Sequence, residues 1–165
     1  MRVLKIEGRG RSPEYVKTVT RCYREAVESY VEGTFSPEKV TQWNEALKTV
    51  YNRGFWDGYY LGRKLGEWSE QYGSQATRKK IYVGKVTNYY AKIGVAEILV
   101  EATPLEKGDT IYIIGPTTGV FEGTVEELRV DEKNTSIAQQ GEVCSMPVAD
   151  LLRRSDKLYK IVGNI

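Results

Sequence analysis

The chain has 165 residues, with 24 Lys and Arg against 22 Asp and Glu and no histidine. That length suits one domain, or one small domain with a helical attachment; the missing histidine excludes Ser-His-Asp and Cys-His arrangements, HExxH zinc sites and an imidazole base, leaving carboxylates, lysine, tyrosine or cysteine for any chemistry. The charge is uneven, 15 basic against 10 acidic residues over 1–80 and 9 against 12 over 81–165, so a basic face for phosphates, if there is one, belongs to the first half.

Val3 to Gly8 alternates apolar and charged residues and predicts a short strand. Ser12-Pro13-Glu14 then starts a helix: serine can cap free amides, proline fits the first turn, and glutamate opposes the positive end of the helix dipole. Tyr15, Val16, Val19, Cys22, Tyr23, Ala26, Val27, Tyr30 and Val31 follow at helical spacing up to Gly33. Ser36-Pro37-Glu38 repeats the device, and Val40, Trp43, Leu47, Val50 and Tyr51 continue a second helix that Gly54 would close. The short link between them predicts an antiparallel pair. Phe55 to Gly62 is dense in aromatics and glycines without a clear period, and 70–80 is a polar connector ending in Arg78-Lys79-Lys80.

From Ile81 onward the pattern changes to period two. Ala96, Ile98 and Val100 share a dry face against Val95, Glu97, Leu99 and Glu101. Ile111 to Ile114 is a continuous apolar run suited to a strand covered on both sides or closing a small barrel. Leu105 to Asp109 is a turn around Gly108, and Asp131 to Asn134 a hairpin turn. Ser136–Ala138, Glu142–Val148 and Leu158–Val162 are further strands, with Pro147 placing its segment at an edge or a bulge. The fold class expected is α+β: an N-terminal strand and helical hairpin over 1–77, then an antiparallel β-barrel of six or seven strands over 78–165. Cys22 and Cys144 lie in no CxxC spacing and read as reduced, buried small residues, which fits a cytoplasmic protein; no apolar run approaches the roughly 20 residues needed to span a bilayer, so no membrane partner is expected.

Leu4-Lys5-Ile6-Glu7-Gly8-Arg9, with Arg11-Ser12-Pro13-Glu14-Tyr15-Val16 and Tyr23-Arg24-Glu25-Ala26, resembles a segment of the collagenase-like peptidases, family thirty-two of the unassigned (U) catalytic type. Asn52-Arg53-Gly54-Phe55 with Gly58 and Gly62 resembles the stretch that follows in those proteins. The β-region, with Gly84-Lys85-Val86 and Leu105 to Asp109, resembles their C-terminal domain, a barrel similar to domain two of elongation factor Tu. The resemblance implies a C-terminal portion, in which residues 1–77 are the last strand and helices of a TIM-type catalytic barrel whose remainder is the expected partner. Relatives include proteins described as collagen-degrading, and others that hydroxylate bases in RNA or a quinone precursor using iron-sulfur clusters. No such cluster carries over to Cys22 or Cys144, so no cofactor and no metal is expected in this chain, and no catalytic residue is assigned to it.

The resemblance puts Lys5, Glu7 and Arg9 on one side of a strand, near the end where barrel enzymes bind phosphate or carboxylate; in a lone strand they would be a solvated face. Arg9, Arg11, Arg78, Lys79 and Lys80, with Tyr72, Tyr89 and Tyr90, form a candidate RNA surface, to which Arg153-Arg154 would add unless merely solvated. Phe55, Trp56, Tyr59, Tyr60 and Trp68 suit a groove for a proline-rich, collagen-like chain, or else seal the helices onto the barrel. The substrate-binding set is therefore Lys5, Glu7, Arg9, Arg11, Arg53, Phe55, Tyr59, Arg78, Lys79 and Lys80, with the apolar helix faces as a homodimer contact.

Overall fold

The computed structural model describes residues 3–55 and 74–163. Contacts divide the chain into two compact units, one running to Arg78 and the other from Lys79 to Gly163.

In the first unit, helix α1 (Pro13–Val31) has Ser12 at its N-cap and Pro13 in its first turn, and Gly33 follows it in the left-handed region at φ 70°. Helix α2 (Pro37–Lys48) begins at Ser36, whose hydroxyl accepts from the Lys39 amide at 3.4 Å. The pair is antiparallel, as the short link predicts. Near the end of α1, Ser29 Oγ accepts from Lys39 Nζ at 2.9 Å, while Thr34 Oγ1 in the link accepts from the same ammonium at 2.8 Å. Further along, Trp43 Nε1 donates to Glu25 at 2.9 Å. Val19, Cys22 and Val50 are buried, and this small core is what the amphipathic pattern supplies.

Two expectations for this unit need correction. Residues 3–8 form no strand: a strand is defined by a ladder partner, none is present among the described residues, and Val3 and Leu4 are exposed. Helix α2 stops at Lys48 instead of reaching Tyr51. Asn52 ends the helical run by turning its side-chain amide back to the carbonyls of Lys48 and Val50, and accepting from the Gly54 amide at 3.2 Å. This is the local competition with the helix that asparagine favours.

The second unit has ten strands: β1 (Arg78–Tyr90), β2 (Val95–Val100), β3 (Leu105–Glu106), β4 (Thr110–Gly115), β5 (Gly119–Thr124), β6 (Arg129–Val130), β7 (Lys133–Asn134), β8 (Ile137–Ala138), β9 (Val143–Pro147) and β10 (Lys157–Gly163). Eight make one sheet in the order β5-β4-β10-β1-β2-β9-β6-β7, and β3 pairs with β8 apart from it. Every described ladder is antiparallel. The sheet is open, not the closed barrel expected, with β5 and β7 as its edges. A two-residue β7 with both residues exposed offers too short a rim to pair with β5. The chain crosses from β5 to β6 through loop residues instead, and Val125 and Leu128 from that loop are buried.

The alternation read in β2 holds, since Ala96, Ile98 and Val100 are all fully buried. They join Val83, Val86, Leu105, Ile111, Ile113, Cys144, Met146 and Leu158 in a single core. Gly108 takes φ 95° in its turn, and Asp131 and Glu132 take φ 48° and 63° in the hairpin between β6 and β7. Strand β9 is interior, contrary to the expectation for Pro147, but the proline is its last residue and lies beyond Ser145, where pairing with β6 ends. It therefore removes no ladder bond on that side.

Candidate binding site

Three of the residues singled out from sequence meet in the first unit. A pocket of about 330 Å³ is lined by Arg11 from the turn before α1, Tyr15 and Tyr23 from the first and middle turns of α1, and Tyr51, Arg53 and Phe55 from the segment after α2. The early end of α2 is what makes it: once the helix stops at Lys48, residues 50–55 are free to fold back toward Arg11. Segment 74–77 fixes that arrangement, because the Gln75 amide donates to the Asn52 carbonyl at 2.8 Å and the Thr77 amide to that of Lys48 at 3.0 Å.

Both arginines converge on Tyr51. The Arg11 guanidinium lies over its ring, 3.9 Å from the centroid, and Arg53 Nε donates to its hydroxyl at 2.7 Å. The Arg53 hydrogen bond, assisted by Arg11, holds the Tyr51 phenol below the usual tyrosine range. Tyr15 is the second ring near Arg11, at 6.0 Å. No carboxylate is among the described residues that line the pocket; Arg11 and Arg53 meet aromatic faces and a phenol there. Such a wall accepts anions and flat groups: guanidiniums bind carboxylate or phosphate in a fork geometry, and rings take prolyl or aromatic faces.

The other predicted residues are not gathered there. Lys5, Glu7 and Arg9 lie exposed along the irregular segment before α1, where Glu7 Oε1 accepts from the Arg9 amide at 3.0 Å. Arg78 and Lys79 are exposed at the start of β1, while Lys80 is half-buried with its ammonium 5.1 Å from the Tyr159 ring centroid. Tyr89 is not an open stacking face; it packs against the core and donates to the Val148 carbonyl at 3.0 Å. Arg153 and Arg154 belong to a turn held by Asp156, which accepts from the Arg153 amide at 2.8 Å. Tyr59, with Trp56, Tyr60, Trp68 and Tyr72, lies outside the described residues.

Sequence spacing alone places Tyr51, Tyr15 and Tyr23 on apolar helix faces. The signal that would have found them is Asn52-Arg53-Gly54, a helix stop immediately after Tyr51. The cysteines are poor nucleophiles: both are free and buried, and burial pushes the Cys22 thiol up and the Cys144 thiol up to about 12. Among the described residues no group of three or more Cys, Asp or Glu could hold a metal ion, and no helix is long and apolar enough to cross a membrane.

The pocket thus gathers basic and aromatic side chains within the first unit. Residues 1–70 match the family model described as Peptidase family U32. Over 160 residues the chain is 55% identical to a collagenase of Porphyromonas gingivalis, covering 97% of this chain and 39% of that protein. It is 37% identical over 164 residues to an uncharacterized protease of Methanocaldococcus jannaschii, covering 98% and 40% respectively. A tRNA hydroxylation protein of Bacillus subtilis is 29% identical over 132 residues, covering 79% of this chain and 31% of that protein. The crystal structure of the C-terminal domain of a Geobacillus thermoleovorans protein described as a U32 peptidase aligns with a TM-score of 0.46 and 18% identity, over 48% of this chain and 90% of the other. The chain is thus similar to U32 peptidases over residues 1–70 and to the collagenases over nearly all of its own length. It spans about two fifths of the length of the curated collagenases it matches.

Proposed function

We propose that this chain is the C-terminal, substrate-recognising part of a collagenase-like U32 protein, and that it holds a polypeptide substrate without carrying the groups that cleave it. The observation that carries this reading is the meeting of Arg11 and Arg53 on Tyr51, with Phe55 beside them and no carboxylate among the described lining residues. The rings suit the flat faces of prolyl residues in an extended chain, and the guanidiniums suit a carboxylate beside them. The chain's own candidate nucleophiles give binding the better claim: both thiols are buried and shifted toward the protonated form. The collagenases among its relatives supply the substrate class.

Fluorescence anisotropy with labelled gelatin fragments tests this. Arg11→Ala and Arg53→Ala should each weaken binding about five- to tenfold, the order expected for losing one cation that acts on a carboxylate or ring, with the thermal midpoint little changed. Unaltered affinity in both variants would rule the pocket out.

A second reading is supported by the tRNA hydroxylation relatives and by the same chemistry. The arginines would take phosphates and the rings would stack bases, making the chain an RNA-binding module. Its mark is a tRNA affinity that falls steeply with salt, because phosphate contacts release counterions. Affinity for tRNA that is weak and insensitive to salt would remove this reading.

A further inference from the structure

The β-unit carries a second concavity, of about 630 Å³, on the outer face of its sheet. Its origin lies in strand length. Strand β6 covers β9 only at Cys144 and Ser145, so the end of β9 lies open on that side between the β1–β2 hairpin and the β6–β7 hairpin. Register sets the floor in two rows. Val95 opposite Pro147 makes an apolar row, and Glu97, Ser145 and Arg129 in line across β2, β9 and β6 make a polar one. Ile93 at the hairpin tip is 71% exposed and forms an apolar wall.

The charges are not balanced. Arg129 is occupied by Glu127, with Nη2 and Nε at 2.5 and 2.6 Å from the same carboxylate oxygen. Glu97 forms no ion pair among the described residues. Instead it is aimed by two hydroxyl donors: Thr87 at 2.7 Å, from the position where the β1–β2 register slips, and Tyr90 at 3.3 Å. Neutral donors fix a carboxylate in place without cancelling its charge. Glu132 adds a second negative charge from the opposite wall.

We propose that this groove takes an extended polypeptide segment in which a lysine or arginine is flanked by apolar residues. The cation would sit at Glu97, between it and Glu132, and the flanking side chains on Val95, Pro147 and Ile93. A concave apolar surface with a few placed polar groups is the usual form of a specific site, and charge complementarity selects a cationic ligand here. A nucleic-acid strand is disfavoured, since its phosphates would face two uncompensated carboxylates. The inference is independent of the arginine pocket in the other unit.

The test is anisotropy on the full chain with three labelled probes: an Ala-Ile-Arg-Val-Ala peptide, the same peptide with glutamate in place of arginine, and a single-stranded oligonucleotide. The arginine peptide should bind at least tenfold tighter than the glutamate peptide. Glu97→Lys combined with Glu132→Lys should abolish that preference, and Ile93→Ser should weaken binding severalfold. All three positions lie outside the core, so thermal unfolding checks that the variants are folded, while Arg11→Ala with Arg53→Ala should leave the arginine peptide's affinity unchanged. Equal binding of the two peptides, retention of the preference after charge reversal, a preference for the oligonucleotide that persists in Arg11→Ala with Arg53→Ala, or loss of peptide binding in that arginine variant would each overturn the proposal.

Discussion

Gly84 shows how much of this fold hangs on single positions. It pairs with Val100 across β1 and β2, and a Cβ placed on it would sit 1.9 Å from the Leu99 carbonyl oxygen, a backbone atom that cannot step aside. Gly84→Ala should therefore cost about 3 kcal/mol in urea unfolding; a change within experimental error would show that the strands are not packed this closely. A half-buried tyrosine and a buried cysteine give the unit a pH response. Burial, reinforced by the hydrogen bond to Glu101, pushes the Tyr82 phenol from 10.0 up to about 12, and burial pushes the Cys144 thiol from 9.0 up to about 12. Folding favours the protonated form of each group, so the stabilisation is complete below pH 9 and is lost as pH rises toward 12. Urea midpoints taken at intervals from pH 8.5 to 11.5 should fall, and Tyr82→Phe with Cys144→Ala should flatten the slope. A midpoint that stays level or rises in the unmodified chain would contradict the shifts.

At the level of elements, the helices were the most legible because their starts are written in local chemistry. Ser-Pro-Glu occurs twice, and each occurrence begins a helix. Helix α2 ended early for a reason that periodicity does not express: Asn52 redirects the backbone after Val50 and Tyr51 have already satisfied the apolar spacing. The arginine pocket was hidden for the same reason, since Arg11 and Arg53 are 42 positions apart in sequence and meet only once the helix stops. In the β-unit, β2 was legible by alternation and β4 by its continuous apolar run, whereas the two-residue strands β3 and β7 lie within stretches that read as turns; closure was not decidable from the pattern, because it depends on whether the end strands are long enough to pair. Within the helical pair, Lys39 binds the end of α1 to the link through Ser29 and Thr34. Lys39→Ala should speed amide exchange over Glu28–Thr34 about fivefold, equivalent to about 1 kcal/mol of local stability. Unchanged exchange there would mean that apolar packing alone holds the hairpin.

For the whole molecule, a helical unit with a cationic, aromatic pocket and a β-unit with an anionic groove present two chemically opposite surfaces on one chain. The relatives it resembles are more than twice its length, and the proposal is that this chain holds a substrate without transforming it. Incubation of the purified chain with gelatin and with tRNA, following both retention and product formation, addresses this most directly. The expected result is retention that Arg11→Ala and Arg53→Ala weaken, with neither polymer turned over. Cleavage of gelatin or modification of tRNA by this chain alone would contradict it.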